Sequence, residues 1–139
     1  MLRVLALCLA FVVPAAAQPA ITGDDLAEIR AVINRQIDAF RRDDAQEAFK
    51  LVSPSVQETF GTPERFLDVV RVSYHAMYRP AAVTFLGLTV MGDDAVQRVR
   101  ITDRSGAVWV AYYAMQRQKD GSWRTNGCHL VQPSKSIST

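Results

Sequence analysis

Two histidines, two cysteines and four tyrosines are the side chains of this 139-residue chain best suited to nucleophilic, acid–base or metal chemistry. A zinc centre takes three or four His, Cys or carboxylate ligands, and apart from Cys8, near the N-terminus, the chain offers only His75, His129 and Cys128 beyond its carboxylates. Cys128 and His129 are neighbours in a segment that reads as a strand, so their side chains point to opposite faces. No metal site is expected. A cysteine nucleophile needs a base within hydrogen-bond reach and a depressed pKa. His75 is the base that could approach Cys128, and the reading preferred is a buried, unreactive free thiol at Cys128.

The carboxylates fall at Asp24/Asp25, Asp43/Asp44, Asp93/Asp94, Asp103 and Asp120, each in a helix-cap or turn context. None lies inside an apolar strand; Asp38 and Asp68 remain as helix carboxylates able to face inward. Phosphate loops, dinucleotide fingerprints, Gly-x-Ser-x-Gly elbows and His-Glu-x-x-His motifs are absent from the sequence. No catalytic residue and no cofactor is therefore assigned. Aromatic residues are the better pointer. Tyr74, Tyr78, Trp109, Tyr112 and Trp123, with His129, form a candidate ligand pocket whose phenols and indoles supply a few polar handles in apolar surroundings. Tyr113 belongs to the same aromatic supply. Which of them share a face depends on one turn. A two-residue turn at Asp120-Gly121 sets Trp123 opposite Gln118, on the Tyr112 face; a three-residue turn sets it opposite Arg117, on the Trp109 face.

The elements that must position these residues begin after a leader. Arg3 precedes an apolar run over residues 4–13, then Pro14 and Ala15-Ala16-Ala17, the layout of a signal peptide over residues 1–17. The run is too short to span a membrane, so export to the periplasm or medium is expected. Loss of the leader removes Cys8 and leaves Cys128 as the single thiol. A formal charge of +2 is far from the basic excess of a nucleic-acid binder.

Residues 18–23 read as a tether and residues 24–132 as one domain. Leu26, Ile29, Ile33, Ile37 and Phe40 recur at helical spacing, with Thr22 and Asp25 as a capping box. Asp44 and Glu47 open a short second helix that Pro54 ends. Thr62 and Pro63 start a third, with Phe66, Val69, Val70, Ser73 and Met77 on its stripe, which runs on towards Pro80. Four strands follow over residues 83–90, 95–102, 107–118 and 122–131, and residues 133–139 form a frayed tail. Across the second turn, Arg100 and Trp109 are placed for a cation–π contact. The third strand is apolar on both parities, Val108, Val110, Tyr112 and Ala114 against Trp109, Ala111, Tyr113 and Met115. A strand wetted on one face alternates. A homodimer packed sheet to sheet is therefore expected.

The predicted class is α+β: three N-terminal helices packed on a curved four-stranded antiparallel meander. The motifs Gln36-x-x-Ala39-Phe40, Phe60-Gly61-x-Pro63-x-x-Phe66, Tyr78-Arg79-Pro80, Trp109-x-Ala111-Tyr112 and Gly121-x-Trp123-Arg124-x-x-Gly127-Cys128 occur in that order. With them the chain resembles a bacterial family, domain of unknown function 4864, in the nuclear transport factor 2-like (SnoaL-like) superfamily. The resemblance implies the cone fold and carries no assigned activity. The function expected is an exported module, ligand-binding or structural, enclosing a modest cavity for a small apolar ligand. The alternatives are a small isomerase or hydrolase using an inward carboxylate or a Tyr–His pair, and a protein-interaction module of the cell envelope.

Overall fold

A computed structural model describes Val12 and residues 20–133. The expected leader (Val12 apart), the start of the tether and the tail from residue 134 lie outside the described residues.

The first helix, α1 (Gly23–Arg41), starts where the capping box places it. The Thr22 hydroxyl accepts the Asp25 N–H at 3.2 Å and the Asp25 carboxylate accepts the Thr22 N–H at 2.8 Å. Ile29, Ile33, Ile37 and Phe40 form its buried stripe. Asp43 then takes a positive φ of 53° and turns the chain into α2 (Ala45–Lys50), capped by Asp44 through the Glu47 N–H. That turn is pinned from afar: the Tyr78 phenol donates to Asp43, and Arg79 reaches the same carboxylate at 3.1 Å and the Phe40 carbonyl.

Five helical segments stand where three are expected, for two local reasons. α2 already ends at Lys50, and Pro54, expected to end it, instead opens α3 (Pro54–Phe60), because Ser53 is extended and its hydroxyl accepts the Val56 N–H. The helix after Thr62 divides into α4 (Pro63–Ser73) and α5 (His75–Tyr78) at Tyr74, whose φ of −129° and ψ of 46° are not helical. The break lets Ala76, Met77 and Tyr78 turn into the core.

Four strands, β1 (Pro80–Met91), β2 (Asp94–Asp103), β3 (Val108–Arg117) and β4 (Trp123–Val131), form one antiparallel sheet in chain order. Val99, Ile101, Ala111, Tyr113, Met115 and Trp123 lie on its inner face against Ile29, Ile33, Ile37 and Met77. A second cluster centres on Phe66, whose ring lies 5.3–6.0 Å from those of Phe40, Phe49 and Phe60. The last hairpin closes with Arg117 opposite Trp123, and Gly121 at φ 86° ends a three-residue loop. Trp123 therefore faces inward with Trp109 and Tyr113. Arg100 lies opposite Val110, and Trp109 opposite Ile101. Arg100 and Trp109 thus occupy opposite faces, which corrects the expected cation–π pair; the Trp109 indole donates to Asp103 at 3.0 Å instead.

Besides a register shift at the start of β1, between Pro80 and Ala82, two bulges lie within the sheet. In β1, Leu86 and Gly87 face the single residue Arg98, and the buried Gln97 amide donates to the Leu86 carbonyl at 2.9 Å, satisfying an acceptor left over by the irregularity. In β4, Asn126 and Gly127 face the single residue Ala114, with Gly127 at φ 105°, a conformation that favours glycine. This second bulge shifts the alternation, so Trp123 and Thr125 point inward and so do Cys128 and Leu130. Helices and sheet are also joined through the backbone: Val52 and Thr125 form a parallel bridge, Ser53 N–H to the Thr125 carbonyl at 2.8 Å and Thr125 N–H to the Leu51 carbonyl at 2.9 Å.

Candidate functional site

The bend of the sheet and the helical lid leave a cavity of about 100 Å³ between them. Gln36 and Phe40 of α1, Val56 and Phe60 of α3, and Phe66, Val69 and Val70 of α4 line one side. Tyr113 of β3 and Thr125, Gly127 and Cys128 of β4 line the other, with Val52, Tyr74 and Met77 completing the wall. Val56, Phe60, Val69, Tyr74, Gly127 and Cys128 keep some exposure and mark its open side. No ionisable carboxylate, lysine, arginine or histidine is among these residues.

Its polar groups are few. Gln36 Nε2 donates to the Ala48 carbonyl at 3.3 Å and to Thr125 Oγ1 at 3.1 Å, and the Thr125 hydroxyl donates to the Leu51 carbonyl at 3.3 Å. Those donors are used in holding the lid to β4. Tyr113 differs. It is 0 % exposed, and no group among the described residues bonds its hydroxyl. Burial, with a smaller contribution from the neighbouring Cys128, pushes the phenol well above its ordinary pKa, so it stays protonated and able to donate. Its cross-strand partner Gln97 likewise leaves Oε1 unpaired, but Gln97 does not line the cavity.

An unpaired buried hydroxyl does nothing for the fold. Tyr113→Phe is expected to leave thermal stability unchanged or to raise it by up to about 1 kcal/mol. A loss of more than about 1 kcal/mol in urea unfolding would show that the hydroxyl has a structural partner.

Burial also pushes the Cys128 thiol up to about 12, the opposite of the shift an attacking thiolate needs. His75 lies in a separate, open depression with Tyr74, Asp103, Trp109 and His129, away from the cavity that Cys128 lines. Cys128 should react with a disulfide reagent at pH 8 at least about a hundredfold more slowly in the native protein than in urea. Comparable rates in the two states would contradict the assigned environment.

The sequence-derived pocket residues divide among several places. Tyr74 lines both the cavity and the open depression, which also holds Trp109 and His129. Tyr78 is buried beside Asp43 and Arg79, its ring 3.8 Å from the Arg79 guanidinium carbon. Trp123 is buried against Asp25 and Arg117, and Tyr112 lies on the outer sheet face. Asp38 and Asp68 point to solvent and pair with Arg41 and Arg71. Gln36, Phe40, Phe60, Phe66 and Thr125 complete the cavity without having been singled out for it. One of them carried a signal: Gln36 is a polar residue set within the apolar stripe Ile33, Ile37, Phe40 of α1. Among the described residues no group of three or more His, Cys, Asp or Glu side chains is placed to hold a metal ion.

The sequence profile of the family described as domain of unknown function (DUF4864) matches residues 22–137, the whole of the described fold. The chain belongs to the DUF4864 family. A solved structure with the same architecture is an NTF2-like protein of unknown function from Shewanella baltica OS155. It is 14 % identical to this DUF4864 chain at a TM-score of 0.56, over 84 % of this chain and 100 % of the other. At that identity the likeness establishes the NTF2-like fold for this DUF4864 member and nothing further. No curated protein matches the chain.

Proposed function

We propose that this DUF4864 protein is a small-ligand-binding module whose ligand occupies the cavity between the helices and the sheet. The observation that carries this reading is the cavity wall itself: apolar, open on one side, and without an acid, base or activated nucleophile. Acid–base catalysis in such a site requires a titratable group within reach of the substrate, and the carboxylates nearest in sequence face solvent. Native mass spectrometry of protein purified from its own host tests the reading. A bound organic molecule is expected, displaced in Val69→Phe, which adds a ring at a partly exposed point of the wall. Protein that carries no adduct and whose resonances small apolar probes leave unmoved would refute it.

The same reading includes export and self-association. Export is supported by Arg3, the apolar run and Ala15-Ala16-Ala17; a mature N-terminus at Gln18 in the periplasm or medium is the expected finding, and an intact Met1 end there would refute it. Self-association is supported by the outer sheet face, where Val108, Tyr112 and Val131 stay exposed. Arg98 and Arg100 stand in that face, so salt should strengthen the dimer by screening their mutual repulsion. A clean monomer by light scattering at tens of micromolar, in low and high salt alike, would exclude it.

A further inference from the structure

Gln36 presents the cavity with an acceptor that nothing in the described chain uses. The residue is 2 % exposed, and its Nε2 donates to the Ala48 carbonyl at 3.3 Å and to Thr125 Oγ1 at 3.1 Å. The Ala48 carbonyl can only accept, so nitrogen must face it and the side-chain oxygen is turned the other way. That oxygen, Oε1, receives no hydrogen bond from any described residue, and it is not sealed off as the Tyr113 hydroxyl is. The cavity is the space that Gln36 lines. The Tyr74 hydroxyl is likewise unpaired, but Tyr74 is only half-buried and stands at the open side, where solvent can serve it. Two further properties restrict what could meet Gln36. The wall carries neither a cation nor a carboxylate, so an ion brought inside would remain an unpaired buried charge. The volume, about 100 Å³, is below that of a 150 Å³ apolar cavity known to take benzene.

Resting on the binding reading above, we propose that the ligand is an uncharged molecule about the size of a single five- or six-membered ring, carrying one hydroxyl or N–H group that donates to Gln36 Oε1. Its apolar body lies among Phe40, Phe66 and Val70, and its polar end points to α1. Selectivity follows from the same geometry. A ketone of equal size sets its lone pairs against the Gln36 oxygen, and a hydrocarbon leaves that oxygen unmet. An ammonium ion could donate to it, but brings a charge that no carboxylate of the wall balances. Gln36, the polar residue within the apolar stripe of α1, then acts at both ends of its amide: the nitrogen ties the lid to β4, and the oxygen reads the ligand.

The test uses four probes of one size, cyclopentanol, cyclopentanone, methylcyclopentane and cyclopentylammonium, titrated at pH 7 into the wild-type protein and Gln36→Leu. Amide shifts at Val70 and Gly127 report binding, and the Gln36 side-chain carbonyl carbon reports the hydrogen bond. Cyclopentanol is expected to bind the wild type about three- to tenfold more tightly than cyclopentanone, and to move the Gln36 carbonyl resonance, which methylcyclopentane leaves near its free position. Cyclopentylammonium should bind at least about tenfold more weakly than the alcohol. In Gln36→Leu the alcohol should lose its advantage over the ketone while methylcyclopentane holds its affinity or gains. That variant also loses the bonds to Ala48 and Thr125, so if it fails to fold, the wild-type comparison and the Gln36 resonance decide. If alcohol and ketone bind equally and the Gln36 carbonyl responds to neither, the oxygen has no part and the inference fails while the binding module stands. If the ammonium ion binds as well as the alcohol, the restriction to uncharged ligands fails. If no probe binds, both the inference and the cavity reading fall.

Discussion

Trp123→Ala lowers the unfolding free energy by about 3–5 kcal/mol, the ordinary loss for deleting a buried indole. At this position the ring does more than fill space. The indole N–H donates to Asp25 Oδ1 at 3.0 Å, the Arg117 guanidinium carbon lies 4.6 Å from the ring centroid, and Arg117 itself reaches both Asp25 oxygens at 3.0 and 3.3 Å. The result ties the first turn of α1 to the last hairpin, elements nearly a hundred residues apart. Asp25 and Arg117 are only 12 % and 17 % exposed, so solvent screens their pairing little. Trp123→Phe keeps most of the packing and loses the hydrogen bond, and should cost about 1 kcal/mol. Urea unfolding followed by circular dichroism measures both. A loss below about 1 kcal/mol for the alanine variant would mean that the clasp is not holding the hairpin.

The second large effect is acid sensitivity. Asp25, Asp43, Asp103 and Asp120 all have carboxyl pKa values held below the ordinary 3.8. At Asp25 the Thr22 backbone N–H is the first cause, followed by the Trp123 indole and Arg117. At Asp43 it is the Tyr78 phenol, at Asp120 the Ser122 hydroxyl, and at Asp103 the Ser105 hydroxyl and Trp109 indole, which bring that group to about 2. A carboxylate with a depressed folded-state pKa binds fewer protons folded than unfolded, so stability rises with pH through that range. The contribution is complete above the unfolded value, near 4, and is lost as pH falls towards each folded value. Thermal midpoints should therefore be level from about pH 7 to 5 and fall steeply between about pH 4 and 2. Asp103→Asn should give a shallower fall over that interval. A midpoint indifferent to pH down to 2 would remove these carboxylates from any role in stability.

Features set by a few neighbouring residues were legible in the sequence. Thr22 with Asp25, Asp44 with Glu47, and Thr62 with Pro63 locate three helix starts, and the turn residues at 92–94, 103–106 and 120–121 separate the strands. What failed to show was set by distant contacts. Tyr74 has no side chain that breaks a helix; the break there serves the burial of Ala76, Met77 and Tyr78. Pro54 reads equally as an end and a beginning until Ser53 is seen to bond Val56 and Asn126. The cavity was obscured for the same reason. Large aromatics suggested its wall, but Trp123 and Tyr78 are engaged by Asp25 and Asp43, and phenylalanines with Tyr113 take their place. The Asn126–Gly127 bulge decides which side of β4 Cys128 and His129 occupy, and only a lone glycine hinted at it.

The two borders of the sheet differ in what they offer another polypeptide. Along β4 the Val52–Thr125 bridge occupies backbone groups that a foreign strand would need, and Ser53 and Ser55 hold the Asn126 side chain beside it. Along β1 no segment of the described chain lies alongside, and protection there comes from Pro80 and from the kink at Leu86–Gly87. Should folded copies ever pair edge to edge, the β1 border is the one open along its length, and with the β4 border bridged at Thr125 such pairing favours two copies back to back over a growing filament.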